Sequence, residues 1–371
     1  SYQAQRTMSI AQALYEGIDL GGESTGLITY MRTDSTRIAE EAVSACQNLI
    51  KERFGANLLN GSVRVFKNKQ SAQDAHEAIR PTDPFKTPES LAAHLSKEQL
   101  KLYTLIWQRF IATQMKPVKL SVTTARIDVG AAQFAATGNQ IAEEGFLKAY
   151  PHVNIVQGEK IDAAYAKDDL LEHSELKSTQ NWTTPPSRFT EASLIKELEA
   201  KGIGRPSTYA TIISTIRNRK YVGMEKKSFV PTQLGNDVNR FLVDKFDSIF
   251  NVKFTAEMED KLDEVEFKRI VWTDLVQNYY DQLQGLIGGV DVKKEKGSFV
   301  QDSGIQCDVC QTGTMLVKHS RGGEFLSCSR YPDCKNSKSF KRDENGNIVI
   351  SVPTTLEEKC PKCDSPLVRR S

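Results

Sequence analysis

No stretch of 18 or more apolar residues occurs anywhere in this 371-residue chain, so no segment is built to cross a bilayer as a helix. The opening, SYQAQRTMSI, has no initiator methionine, charged n-region or apolar h-region, and the chain stops at Ser371 soon after a cysteine pair; it reads as a fragment with no secretory leader. Cysteine is scarce where a disulfide framework would need it. Of seven cysteines, Cys46 stands alone and the other six fall between Cys307 and Cys363, which is metal spacing and fits a reducing cytoplasm. No G-x-x-x-x-G-K-[ST] loop is present to cradle a nucleoside triphosphate, and HEAIR has no second histidine at i+4, which excludes a zinc-protease helix.

What is present belongs to a soluble globular protein: 39% hydrophobic and 26% charged residues, in a chain long enough for two to four compact units. Net charge is only +2 and is no argument for or against nucleic acid, but it is unevenly placed. Residues 181–230 carry nine Lys or Arg against four Glu and no Asp, whereas residues 231–270 carry six basic against nine acidic side chains. A basic block of this kind can bind phosphates even when the total charge is near zero.

The patterning predicts an α+β multidomain protein. In residues 1–115, Ile10 and Leu14 suggest a helix stopped by Gly17, Leu27 to Tyr30 a short strand, and Ile38, Val43, Cys46 and Ile50 a second helix starting after Asp34 or Ser35 as N-cap. SKEQLKLYTLIWQRFIATQM has Leu102, Leu105, Ile106 and Phe110 at helical spacing. Residues 116–182 turn to strand character in SVTTARIDVG and AAQFAATG, a small β-rich module. Residues 183–290 return to helices: a Thr190-capped segment ends at Gly202, Ser207 opens another, and the strand-like KYV and SFV follow, as in a helix-turn-helix with a wing. The acidic run TAEMEDKLDEVE reads as a solvated structural face. A glycine-bearing linker, Gly288 to Gly304, leads into the cysteine-rich tail.

In that tail Cys307 and Cys310 form C-x2-C, Cys328 and Cys334 form C-x5-C, and a hairpin-like TMLVKHSRGGEFLSC lies between. Four thiolates on two knuckles complete a closed, structural zinc shell, a zinc ribbon over residues 305–342. Cys360 and Cys363 repeat C-x2-C within residues 358–371 with no second pair after them, half of a further ribbon.

The remaining site is GLITYMRTDSTR, residues 26–37, where an apolar strand pattern runs into tyrosine, arginine and polar residues. On a strand, residues i and i+2 share a face, which sets Arg32 beside the phenol of Tyr30. A free phenol, with a pKa of about 10, is a poor nucleophile at neutral pH; a neighbouring cation and helix N-terminal amides after Asp34 would favour phenolate and hold a phosphate. Taken alone, a strand-end tyrosine is ordinarily a core or surface residue.

GLITYMRTDST resembles the active-site segment of type IA DNA topoisomerases, and it is not the sole match. QDAHEAIRPT (73–82), PPSRFTEASLIKELEAKGIGRPSTYATIISTIRNRKYV (185–222), PTQLG (231–235), FTAEMEDKLDEVE (254–266) and the YPDCK knuckle (331–335) resemble that family in its order and spacing, over almost the whole chain. The methionine after the tyrosine and the zinc-ribbon repeats are more similar to the topoisomerase I branch than to topoisomerase III.

The resemblance implies that Tyr30 attacks a DNA phosphodiester and becomes linked to the 5′ phosphate, that Arg32 stabilises the phosphotyrosine and its transition state, and that His76 assists cleavage. It implies single-stranded DNA contacts at Arg205, Ser207, Thr208, Arg219, Arg188 and Arg80, and stacking and charge contacts in the ribbon at Phe325, Tyr331, Arg321 and Arg330. Negatively supercoiled DNA would be relaxed without ATP by a monomer in the bacterial nucleoid. The family's Mg2+ is held by an N-terminal Toprim domain with a D-x-D pair; no D-x-D occurs in this chain, so the fragment alone is expected to be inactive. Two alternatives are a topoisomerase III-like decatenase and a non-catalytic single-strand-binding protein made of winged-helix and zinc-ribbon modules.

Overall fold

The computed structural model describes residues 2–66, 76–153, 155, 161, 166–172, 175, 177–290, 301–320, 323–343, 347–351, 354–359 and 366–369. The chain divides into two compact units, Ser1–Asn239 with Ser248–Leu275, and Arg240–Asp247 with Val276–Ser371.

The first unit opens with α1 (Ala4–Glu16), the two-residue strands β1 (Ile18–Asp19) and β2 (Ser24–Thr25), α2 (Glu40–Arg53) and α3 (Lys97–Thr113). Gly17 closes α1 as expected, its N–H donating to the Ala13 carbonyl. α3 begins with a capping box: Ser96 accepts from the Gln99 backbone and the Gln99 side chain accepts from the Ser96 N–H. Its buried face is Tyr103, Trp107, Phe110 and Ile111; of the stripe expected from sequence, Phe110 is buried, Leu102 and Ile106 pack partly buried against the core, and Leu105 is exposed. The aromatics win because their polar ends find partners: Trp107 Nε1 donates to the Pro84 carbonyl at 2.7 Å and Tyr103 Oη to the Lys86 carbonyl at 2.6 Å. With Ile10, Leu14, Leu27, Ile28, Met31, Cys46 and Ile50 they form one core, each large side chain contributing about 1.5–3 kcal/mol of burial.

β3 (Lys119–Val129) and β4 (Ala132–Glu143) make the expected β-rich module, a long antiparallel hairpin in register from Leu120↔Ile141 to Val129↔Ala132. Only Gly138 along it is buried.

The helix-turn-helix with a wing is α4 (Glu191–Ala200), α5 (Tyr209–Asn218), β5 (Val222–Glu225) and β6 (Ser228–Pro231). Thr190 caps α4 through a box with Ser193. α5 starts one residue later than Ser207 would place it, with Thr208 as N-cap. The PTQLG motif joins the wing to α6 (Gln233–Phe246): Thr232 Oγ1 donates to the Lys220 carbonyl and accepts from the Gly235 N–H. A Cβ on Gly235 would lie 2.0 Å from the Tyr221 carbonyl oxygen, so only glycine allows this approach. α7 (Val252–Glu266) and α8 (Trp272–Gly288) complete the helices.

In the second unit, β7 (Gln301–Gln306), β8 (Thr314–Ser320), β9 (Gly323–Cys328) and β10 (Ser337–Lys338) form an antiparallel sheet in the order β10-β9-β8-β7. Two small hairpins follow, β11 (Phe340–Arg342) with β12 (Ile348–Ile350) and β13 (Thr354–Lys359) with β14 (Pro366–Arg369).

Candidate active site and zinc centre

The Tyr30 segment is not a regular strand. Its single bridge is Ile28↔Pro81, closed by Thr29 N–H donating to the Arg80 carbonyl and Thr82 N–H to the Leu27 carbonyl. Thr29 Oγ1 adds a bond to the Ala78 carbonyl at 2.7 Å and accepts from the Arg80 N–H at 2.9 Å. GLITY and HEAIRPT are thereby fastened side by side, and the pairing sets the His76 ring 5.3 Å from that of Tyr30, inclined at 53°. Tyr15, in the last turn of α1, packs edge-on against Tyr30 at 5.3 Å. Leu27, Ile28 and Met31 are buried around the half-buried tyrosine, so its backbone is anchored while its ring has two aromatic neighbours.

Arg32 is exposed, with no ion pair among the described residues. The helix expected after Asp34 or Ser35 begins only at Glu40, with Ala39 as an N-cap that offers no side-chain bond. The intervening loop spends its hydroxyls on its own amides: Thr33 Oγ1 accepts from Ser35 N–H and Ser35 Oγ from Arg37 N–H, a turn chemistry that competes with helix. Helix N-terminal amides therefore do not stand directly behind Tyr30. The 77–78 segment also pins this loop, through Ala78 N–H to the Arg37 carbonyl and Ala39 N–H to Glu77 Oε2.

The other sequence-derived positions separate into two groups. Arg188, Ser207, Thr208 and Arg219 are exposed. Thr208 Oγ1 nevertheless serves the turn itself, accepting from Arg205 N–H at 2.9 Å and donating to the Arg205 carbonyl at 3.1 Å. Arg80 and Arg205 are turned inward. Arg80 is only 12% exposed and holds Glu77 at 2.8 Å and the Pro81 carbonyl at 3.0 Å. Arg205 holds Asp263 of α7 at 2.7 Å. The acidic α7 is accordingly more than the solvated face expected from its composition: Glu259 and Asp263 are largely covered and face the turn before α5. Burial raises the Tyr209 phenol pKa, as do the negative charges of Glu199 and Asp34, so the start of α5 lies near the RTDST loop that follows Tyr30.

In the ribbon, the Sγ atoms of Cys307, Cys310, Cys328 and Cys334 all lie within 4.8 Å of one another. The Cys307–Cys334 and Cys310–Cys328 separations are 3.8 and 3.6 Å. A tetrahedral ion with Zn–S bonds of about 2.3 Å needs sulfur–sulfur edges of about 3.8 Å, so the four thiols fit zinc with no position left open. Outer bonds orient them: Asn336 Nδ2 donates to Cys307 Sγ at 3.2 Å and Arg330 N–H to Cys328 Sγ at 3.4 Å. The backbone N–H of Thr312 is the largest influence bringing the Cys310 pKa down to about 6, favouring the thiolate that binds metal. Tyr331 is exposed, with Lys318 Nζ 5.7 Å from its ring, and Phe325 is half-buried. Cys360, Cys363 and Arg321 lie outside the described residues.

Sequence reasoning missed Tyr15, Glu77 and the Glu259–Asp263 pair as parts of these sites. Glu77 had a signal, being adjacent to His76 in HEAIR; the others are joined to their partners only by the fold.

Residues 1–277 match the family described as DNA topoisomerase, and residues 304–343 and 357–371 match the topoisomerase DNA binding C4 zinc finger. The chain belongs to the type IA DNA topoisomerases, in the bacterial topoisomerase I branch. Full-length topoisomerase I from Thermotoga maritima is similar in structure, with a TM-score of 0.67 and 31% sequence identity over 94% of this chain and 56% of that one. The chain thus spans little more than half the length of that relative.

Proposed function

We propose that this chain supplies the strand-cleaving tyrosine and much of the single-strand binding surface of a DNA topoisomerase I that relaxes negatively supercoiled DNA. Tyr30 Oη attacks a backbone phosphorus; the bond to the 3′ oxygen breaks, the phenolic proton is lost, the departing 3′ oxygen gains a proton, and the 5′ phosphate remains on the tyrosine. After strand passage the 3′ hydroxyl reverses the step. One phosphodiester is exchanged for another, which is why ATP is not required. Arg32, exposed two residues beyond Tyr30, neutralises the attacked phosphate. His76, in ring contact with Tyr30, hydrogen-bonds the reacting group. Arg188, Arg219 and Ser207 take flanking phosphates, and the ribbon takes single strand by stacking on Tyr331 and Phe325 with nearby Arg330.

The observation that carries this reading is the Ile28↔Pro81 bridge, which brings the Tyr30 and His76 motifs into ring contact. Among the described residues the four ribbon cysteines are the one metal-suited cluster, and the Mg2+ implied by the resemblance has no carboxylate set in it; the protein steps above therefore rest on Tyr30, Arg32 and His76.

The test is covalent capture. A 3′-end-labelled single strand is incubated with the chain, with Mg2+ and with or without a supplied Toprim half, then denatured. Label on the protein that disappears in Tyr30→Phe is the expected result. Tight single-strand binding by a folded chain with no adduct under either condition would replace this reading with a non-catalytic binding protein.

A further inference from the structure

The GIGRP turn between α4 and α5 is tied to α7 by a compact set of bonds. Arg205 Nη2 meets Asp263 Oδ2 at 2.7 Å, with Asp260 at 3.7 Å, while Nη1 donates to the Gly204 and Gly202 carbonyls at 2.9 and 3.2 Å. Its Nε is buried with no hydrogen-bond partner among the described residues. Glu259 Oε1 accepts from the Gly204 N–H at 3.0 Å, and its other oxygen lies 3.9 Å from Arg205 Nη1. Gly204 has φ +76°, and a Cβ there would crowd Ile212, Thr208 and Tyr209 at 3.0–3.2 Å, so the turn has one shape and both carboxylates fix it.

We infer that Arg205 is a positioning residue: with Glu259 and Asp263 it forms a carboxylate latch that holds the GIGRPST turn in the shape presenting Ser207 and the start of α5 to single-stranded DNA. This rests on the reading of the chain as a single-strand binder. An arginine that met a phosphate directly would have to leave Asp263 and two carbonyls, and the arriving phosphate would face Glu259, Asp260 and Asp263 within 4 Å of the same guanidinium. Three carboxylates around one guanidinium repel a phosphate and suit a brace. The guanidinium also closes its own turn through two backbone carbonyls, a geometry that lysine, with a single point donor, does not reproduce.

The two roles differ in sign at Asp263. If Arg205 binds phosphate, removing the Asp263 charge frees it and strengthens binding; if the pair is a latch, the same change weakens binding. The experiment titrates the full chain and its Asp263→Asn, Arg205→Lys, Arg205→Ala and Arg205→Ala/Asp263→Asn variants with a fluorescent single-stranded oligonucleotide across a salt series, alongside thermal melts that verify folding. The expected result is a loss of about fivefold or more in affinity for each single variant, no further loss in the double variant, and an unchanged salt slope. A fall of about 0.7 in the salt slope for Arg205→Ala, with Asp263→Asn binding as well as or better than wild type, would overturn the inference and make Arg205 a phosphate contact. Melting shifts with affinity and slope unchanged would overturn it too, leaving the pair a stability feature only. A wild type that binds no single strand would fail both this inference and the proposed function; either other adverse outcome fails this one alone.

Discussion

The His76 ring packs 5.3 Å from the Tyr30 ring, the two segments being held together by the Ile28↔Pro81 bridge and the bonds of Thr29 to Ala78 and Arg80. On the proposed reading, the histidine hydrogen-bonds the group that the phenol attacks. His76→Ala is expected to lower adduct formation about 10- to 100-fold, the worth of one or two hydrogen bonds to a charged group, while single-strand affinity stays near wild type. Adduct yield against oligonucleotide concentration separates the two effects.

Arg188 and Arg219 are exposed and outside the latch. Their alanine variants should each reduce the salt slope of single-strand binding by about 0.7 and leave adduct yield intact at saturating oligonucleotide. Binding isotherms over a salt series measure this.

The Cys307/Cys310/Cys328/Cys334 cluster is expected to hold one zinc equivalent. Cys328→Ser should lower the zinc content by that equivalent, read by elemental analysis, and should abolish the near-ultraviolet signature of the ribbon without changing the melt of the α1–α3 core. Three of the four sulfurs are buried, and the outer bonds from Asn336 and Arg330 orient single thiols without linking all four, so the ion is what ties the two knuckles together.

Burial lifts the Cys46 thiol to about 12 in the core of the first unit. Because the folded pKa lies above the unfolded value, the stability this thiol contributes is fully present below about pH 8.5 and is lost as pH rises through about 12. Cys46 should therefore resist thiol reagents at pH 8 in the native chain and react on denaturation, with the ribbon cysteines masked by zinc.

Gly235→Ala should cost about 2 kcal/mol or more, since its methyl would collide with the Tyr221 carbonyl, and thermal melting is the measurement. Gly285→Ala, at a helical glycine whose Cβ would meet nothing within 4 Å, is the control expected to be neutral or stabilising.

Much of this was legible in the chain because the responsible physics is local. Thr190 and Gly202 mark α4 by capping chemistry, Gly17 ends α1, and the cysteine spacing defines the metal cluster before any fold is known. What failed depended on partners far away in sequence, or on local side-chain bonds that compete with a helix. α3 turned its Tyr103–Trp107 face inward because carbonyls at Lys86 and Pro84 were waiting for their donors. Asp34 and Ser35 look like helix starts, yet hydroxyl bonds within the loop delay α2 to Glu40. Arg80 and Arg205 look like free cations until Glu77 and Asp263 are placed beside them, the latter 58 positions along the chain.

The bond from Arg80 N–H to Thr29 spans 51 positions, so the phenol and its histidine partner are joined at the neck of a long excursion. The entropy of closing such a loop grows only logarithmically, about 0.6 kcal/mol for each doubling of its length. Insertions or deletions of several residues within the excursion therefore change the cost of assembling the reactive pair very little. Its geometry is insulated from length variation, provided the short bridge at the neck is kept.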